Sequence, residues 1–395
     1  MKSSRNHVRA AAVSREADLL IACGAVCATG HVPDRVAALA AEEINWHLFL
    51  RMAAGHSMGA IAWRALAPHA NLVPADAIAT LRARHLTVAA RALYLANELL
   101  TVVEILKNEG VATIAFKGPT LAALAFDEPG LREFSDLDVL VRPADTARAR
   151  RILIAHGYRP QCSDPRAIES AIFQCYEDAF VAADRVTVLD LHWRILPRYL
   201  SFPGDDSLWA RVRLIDLRGR SVNTLATEDL LLFLCVHGAK HGWPLLSWIC
   251  DLAGLIDHGA AIDWTALLSR ADSVQGRRSL LLGLHLAHDL MDAAMPSDLI
   301  ALFHNDPTVA RLADSVIQAM FRNFGDRLGL AQELIIPLRS IESISAKIRY
   351  VARRALTPTL DDWYAMPLPA PFFPLYYVTR PFRLVFAQAK IRRNE

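Results

Sequence analysis

From residue 135 to residue 141 the chain reads Ser-Asp-Leu-Asp-Val-Leu-Val, an order that few folds can accommodate. Side chains alternate between the two faces of a strand. Asp136 and Asp138 therefore stand side by side on one face, while Leu137, Val139 and Val141 occupy the other and point to the core. Two adjacent carboxylates on an otherwise apolar strand repel each other unless a cation neutralises them, and Mg²⁺ held by carboxylate oxygens and phosphates meets that need. The same alternation returns at Val188-Leu189-Asp190-Leu191-His192-Trp193, where Asp190 lies between core-facing leucines. His192 shares the face of Asp190 and is a candidate substrate contact that could orient substrate or a carboxylate, and Trp193 falls on the opposite, core-directed face. If the two strands pair, Asp136, Asp138 and Asp190 could hold two metal ions roughly 3.5 to 4 Å apart.

The elements around these strands follow from changes of period. From about Ala17 to Asn108 apolar residues recur at helical intervals, and Leu81 to Leu106 forms one long Ala/Leu-rich stretch closed by Gly110. A short apolar strand, Val111 to Phe116, follows, then a helical segment to Phe126, a Pro129-Gly130 turn and the acid strand from Asp136 to Val141. Pro143 and Asp145 open a helix that runs to His156 and closes at Gly157. Two further strands, about Ile172 to Ala182 and Val186 to Trp193, flank a hairpin turn at Ala183-Asp184-Arg185. The helical period resumes beyond Thr224 and persists to about Ala355. Pro358 to Pro381 is rich in proline and aromatics and reads as an extended wrap before a short basic helix. The fold class is α+β. The expected divisions are a helical region over 1–109, an α+β domain over 110–224, a helical domain over 225–355 and a wrapping tail over 356–395.

Three further groups bear on chemistry. Phe116-Lys117-Gly118-Pro119-Thr120 sits where a strand turns into a helix. Gly118 permits close approach by a phosphate, the helix N-terminus favours negative charge, and Lys117 and Thr120 could contact phosphate oxygens, although the Walker A spacing is absent. Arg132 precedes the acid strand as a further phosphate candidate. His237, Lys240 and His241 share one helical face and are candidate substrate contacts, with Asp251 as a partner for one of them. Gly238 follows His237 directly, so the general-base Glu of a zinc-protease helix is missing.

These residues resemble the bacterial uncharacterised nucleotidyltransferase family of the DNA polymerase β-type superfamily. The segments that carry the resemblance are Phe116 to Phe126, Gly130 to Val141, Leu189 to Ile195, Thr227 to Trp243 and Asp362 to Leu384. It implies a small polymerase β-like sheet flanked by helical regions, with Asp136 and Asp138 as a metal-binding pair, Asp190 as the third carboxylate and Gly118 along the phosphates. It also implies Mg²⁺ or Mn²⁺, ATP or another NTP as substrate, and transfer of an NMP group to an acceptor that the family does not identify. Many members of the superfamily carry Gly-Ser or Gly-Gly where this chain has Lys117-Gly118-Pro119.

Bulk properties narrow the alternatives. With 395 residues, 53% of them hydrophobic and 21% charged, the chain is long and apolar enough for two or three folded domains. A formal net charge of +2 gives no sequence-wide pull toward nucleic acid. This argues against a toxin-like enzyme that adds nucleotides to tRNA, while a non-catalytic nucleotide-binding scaffold stays open as another class. Cys23, Cys27, Cys162, Cys175, Cys235 and Cys250 form no C-x-x-C pair and read as free thiols. Arg5, His7 and Arg9 before Leu19 to Ala28 imitate a signal peptide, but Glu16 and Asp18 interrupt it. No uninterrupted apolar run reaches spanning length, so a cytoplasmic protein without a membrane span is expected.

Overall fold

The computed structural model describes residues 14–30, 33–161, 176–184, 186–196, 205–258, 261–322 and 330–393. Its helices begin with α1 (Arg15–Thr29), α2 (Pro33–Ala40), α3 (Trp46–Gly55), α4 (Gly59–Leu66) and the long α5 (Ala75–Asn108). The sheet region follows: β1 (Thr113–Ala115), α6 (Gly118–Ala125), β2 (Asp136–Val141), α7 (Thr146–Ala155), β3 (Arg159–Pro160), β4 (Glu177–Val181), β5 (Val188–His192), α8 (Asp205–Trp209), β6 (Arg213–Leu217) and β7 (Arg220–Thr224). Then come α9 (Thr227–His241), α10 (Leu246–His258), α11 (Trp264–Ser273), α12 (Arg277–Met291), α13 (Ser297–His304), α14 (Pro307–Arg322), α15 (Leu330–Ser340), α16 (Ile344–Leu356), α17 (Leu360–Ala365) and α18 (Tyr376–Arg393). The result is a mixed α+β fold dominated by helix.

The five-stranded sheet has the order β1-β2-β5-β4-β3. Strands β2 and β5 run parallel, whereas β1–β2, β4–β5 and β3–β4 are antiparallel. The acid strand is the expected Asp136–Val141, and its alternation holds. Leu137, Val139 and Val141 join Leu189 and Leu191 in a core with Leu95, Leu99 and Val102 of α5 and Ala149 and Leu153 of α7. The opposite face carries Leu140, which joins Ile114 and Phe116 in a second, larger core built from α1, α4, α9, α10 and α12. The sheet is thus covered on both sides, and the acids lie where the upper cover opens.

Several sequence expectations change here. The helical regions before and after the sheet share one core, since Leu20, Ile21, Leu66, Leu231, Leu252 and Leu284 belong to the same cluster. Helix α1 packs on α10 and α12 of the other half, and such long-range pairing leaves no local pattern. The tail is helical, not extended. Thr359 and Asp362 form a capping box for α17, and Arg380 and Arg383 both bind Asp362. Pro371 and Pro374 fall in a 3₁₀ turn, Ala370–Leu375, and Pro381 sits inside α18. Trp363 and Tyr376 are buried together in a small satellite cluster. The β6–β7 hairpin, turned at Arg218 and Gly219, was not anticipated; both residues have positive φ, 58° and 79°. Ile172 to Cys175, Arg185, Cys162 and the charged start before residue 14 lie outside the described residues.

Among the described residues, α5 is the one helix long and apolar enough to cross a membrane, and 39% of an apolar 18-residue stretch within it is buried. Its apolar side packs against the sheet. Its polar side bonds to the same domain: Arg84 to Glu133, Glu104 to Arg220 and Glu98 to the Tyr158 hydroxyl.

Candidate active site

Parallel pairing of β2 and β5 sets Asp138 opposite Asp190, Asp136 opposite Val188 and Leu140 opposite His192. On the far side of β5, Glu177 of β4 lies opposite His192 and Ala179 opposite Asp190. One ligand atom each from Asp138, Asp190 and His192 falls within 4.8 Å of the others. Asp136 is half-buried, stands outside this tight group and lines the cavity into which the group opens.

Asp138 is the centre of the arrangement. Its Oδ1 lies 2.7 Å from Lys117 Nζ and 3.0 Å from His192 Nε2. Its Oδ2 is buried with no hydrogen-bond partner among the described residues. Burial alone would raise the Asp138 carboxyl, but Lys117 and His192 hold it well below the usual carboxylate range. Burial works against the charge on Lys117, yet Asp138 and Asp136 keep its ammonium above its ordinary value. Burial likewise disfavours protonated His192, and the bond to Asp138 and the charge of Glu177, 3.3 Å from Nδ1, more than offset it. At Asp190 the His192 charge acts the same way but is outweighed. Burial, reinforced by the Asp138 charge, pushes its carboxyl up to about 7.

This donor set fits a hard divalent cation. A buried carboxylate oxygen left without a partner costs free energy, and burial with the Asp138 charge pushes the adjacent Asp190 carboxyl up to about 7. A cation at Asp138 would cure both, with an Asp190 oxygen within 4.8 Å of the Asp138 ligand atom.

The cavity is about 600 Å³. Lys117 and Gly118 form its floor beside the acids. Gly118 has φ +51°, and a Cβ there would lie 3.2 Å from the Asp136 carbonyl oxygen. The turn thus requires glycine twice, for its left-handed backbone and for its approach to β2. A Gly118→Ala variant is expected to lose about 1–2 kcal/mol of stability, read by urea unfolding, together with most of its affinity for a triphosphate. Unchanged stability would contradict the close contact.

Arg132 is held away from solvent by Asp251, Nε to Oδ1 at 2.9 Å, and its Nη1 reaches the Gly118 carbonyl at 3.5 Å. Asp251 therefore pairs with Arg132, not with the histidine–lysine face of α9. Thr120 is fully buried, donates its hydroxyl to the Lys117 carbonyl at 2.8 Å and does not line the cavity. It stabilises the first turn of α6, so the expected phosphate contact is corrected to a capping one.

The α9 face divides. His237 and His241 line the cavity with Trp248, and the three rings have centroids 4.7 to 5.9 Å apart. Burial pulls His237 well below its ordinary value and His241 down to about 4, so both rings are neutral at pH 7. Lys240 turns aside to Tyr176, with Nζ 3.3 Å from the hydroxyl, and burial lowers its ammonium to about 8.

Sequence reasoning missed Arg84 and Arg91, which line the cavity from α5. Arg84 binds Glu133, and Arg91 donates to the Ser135 carbonyl at 3.3 Å. Their spacing of seven puts them on one helical face, but nothing local marks which surface that face meets. Glu177 and Trp248 were read only as parts of a strand and of a helical core.

A strand-borne carboxylate pair, a lysine–glycine turn and an aromatic wall thus line one cavity. The chain belongs to the uncharacterised nucleotidyltransferase family, whose sequence profile matches residues 42–292. It is accordingly a nucleotidyltransferase, a transferase of phosphorus-containing groups. No curated protein matches the sequence.

Proposed function

We propose that the chain moves a nucleoside monophosphate from an NTP to an acceptor, with release of pyrophosphate, on a polymerase β-like sheet. The observation that carries this reading is the register of Asp138 beside Asp190, with Asp138 Oδ2 buried and without a hydrogen-bond partner among the described residues. Mg²⁺ or Mn²⁺ held by Asp136, Asp138 and Asp190 would supply charge neutralisation and Lewis acidity at the triphosphate. Lys117, the Gly118 turn and Arg132 hold the phosphates, with Arg84 and Arg91 at the mouth of the cavity. Trp248 with neutral His237 and His241 offers a face on which a base can stack.

The acceptor oxygen or nitrogen forms a bond to the α-phosphorus. The bond from that phosphorus to the bridging oxygen breaks, and pyrophosphate leaves with the electron pair. Asp190 positions the acceptor and takes its proton. Lys117 remains charged throughout and offsets the negative charge that builds on the phosphates. An NTP substrate is consistent with a cytoplasmic enzyme.

The reading is tested by incubating the protein and Mg-NTP with an extract of its host cell and searching by mass spectrometry for a species heavier by one nucleotide. Formation of that species by the wild type and not by Asp190→Asn supports it. Binding of Mg-NTP without any product would instead favour a scaffold.

A pH test isolates the same carboxylate. The folded-state value of Asp190 is raised, to about 7, so the stability it contributes is full below the unfolded value near 3.8 and is lost as pH rises through 7. His192 is raised too and loses its contribution in the same direction. A divalent cation that displaces the proton from Asp190 is therefore expected to raise Tm more at pH 8 than at pH 5.5. Asp190→Asn should flatten the difference. Equal Mg²⁺-induced shifts at both pH values would contradict the assignment.

A further inference from the structure

A second group of metal-type donors lies outside the cavity. His285 and Asp289 are four residues apart on α12 and so share a face, and His304 is the last residue of α13. His285 Nε2 stands 3.2 Å from Asp289 Oδ2, and His304 Nε2 stands 3.6 Å from Asp289 Oδ1. The two imidazoles are stacked, with centroids 5.1 Å apart and planes within 3°. One ligand atom from each of the three falls within 4.8 Å of the others.

We propose that His285, Asp289 and His304 form a separate divalent-metal site of the zinc type, which ties α13 to α12. Ligand atoms around a four-coordinate zinc at roughly 2.0–2.1 Å stand about 3.3 Å from one another, and each histidine Nε2 lies near that distance from one oxygen of Asp289. Binding would turn at least one of the stacked rings so that both nitrogens face the ion. Asp289 Oδ1 is buried without a hydrogen bond, and His285 is more than nine-tenths buried, so the group is not a solvated surface cluster.

Two imidazoles with one carboxylate select zinc, cobalt or nickel over Mg²⁺, which prefers oxygen ligands and keeps its waters. Three protein ligands leave a fourth position, and the half-exposed His304 side gives solvent access to it. Phe303 covers the other side, with its ring centroid 5.1 Å from His285 and 4.9 Å from His304. His288, on the same turn, is not among the three residues whose ligand atoms lie within 4.8 Å of one another, and its Nδ1 bonds the Ala293 carbonyl at 3.0 Å. The family match ends at residue 292, so His304 lies beyond it.

The test uses the full chain, stripped with chelator and titrated with Zn²⁺ by calorimetry and with Co²⁺ by visible absorption. One tight equivalent is expected in the wild type, with the intense bands of a low-coordinate cobalt site. His304→Ala, which alters a partly exposed side chain, and His285→Ala should each weaken binding by at least about 10²-fold. Asp190→Asn should leave it intact, which separates this site from the carboxylate centre. Absence of tight zinc binding in the wild type, undiminished binding in folded His304→Ala, or loss in Asp190→Asn would each overturn the proposal.

Discussion

Asp138→Asn and Asp190→Asn are each expected to lower nucleotide transfer by about 10³-fold or more, while changing stability in opposite directions. The loss of activity follows from removing one carboxylate of a site that must offset charge on a triphosphate, an effect of several kcal/mol at about 1.4 kcal/mol per decade. The stability contrast follows from the charges. Asp138 is the anion to which buried Lys117 and His192 both bind, so its neutralisation strands two cations and should cost about 3 kcal/mol or more. Asp190 is held near half-protonation by burial and by Asp138, so its neutralisation removes a repulsion and should leave the metal-free protein as stable or more stable at pH 8. Activity assays beside urea unfolding check both parts. Equal destabilisation by the two variants would mean that the charge assignment is wrong.

Gly254→Ala is expected to destabilise the protein by about 3 kcal/mol or more, or to prevent folding. Gly254 of α10 packs on the C-terminal end of α6, where an added Cβ would fall 2.0 Å from the Ala125 carbonyl oxygen and 3.0 Å from its carbon. Both atoms are backbone, so no side chain can rotate away, and overpacking of this kind sits at the upper end of its usual range. The two helices also carry the site: α6 begins at Gly118, and α10 bears Trp248 and Asp251. Any folded fraction should therefore show weakened NTP binding as well. A loss below about 1 kcal/mol by urea unfolding would show that the helices separate easily.

Much of the candidate site was legible because its signals are local. Period-two alternation put Asp136, Asp138 and Asp190 on strand faces with their leucines in the core, and Gly118 was marked by its place between strand and helix. What was not legible depends on contacts between distant segments. Lys117 was read as a phosphate ligand, and its present partner is Asp138, 21 residues on; Arg132 pairs with Asp251, 119 residues on. Neither pairing leaves a trace in the spacing of either segment. Asp136 was expected within the tight group, but His192 takes that place because its longer side chain reaches back along β5 to Asp138 Oδ1. The tail was misread because prolines and aromatics were taken as marks of extended chain, whereas here the prolines fall in helical turns and the capping pair Thr359 and Asp362 decides the local structure.

The account rests on a divalent cation seated between Asp138 and Asp190, and anomalous diffraction from crystals grown with Mn²⁺ and a non-hydrolysable NTP measures that directly. The expected result is a manganese peak within about 2.2 Å of oxygens from both carboxylates, with the triphosphate along Lys117 and Gly118. Nucleotide bound in the cavity with no manganese at Asp138 Oδ2, and Lys117 and His192 still on Oδ1, would contradict it.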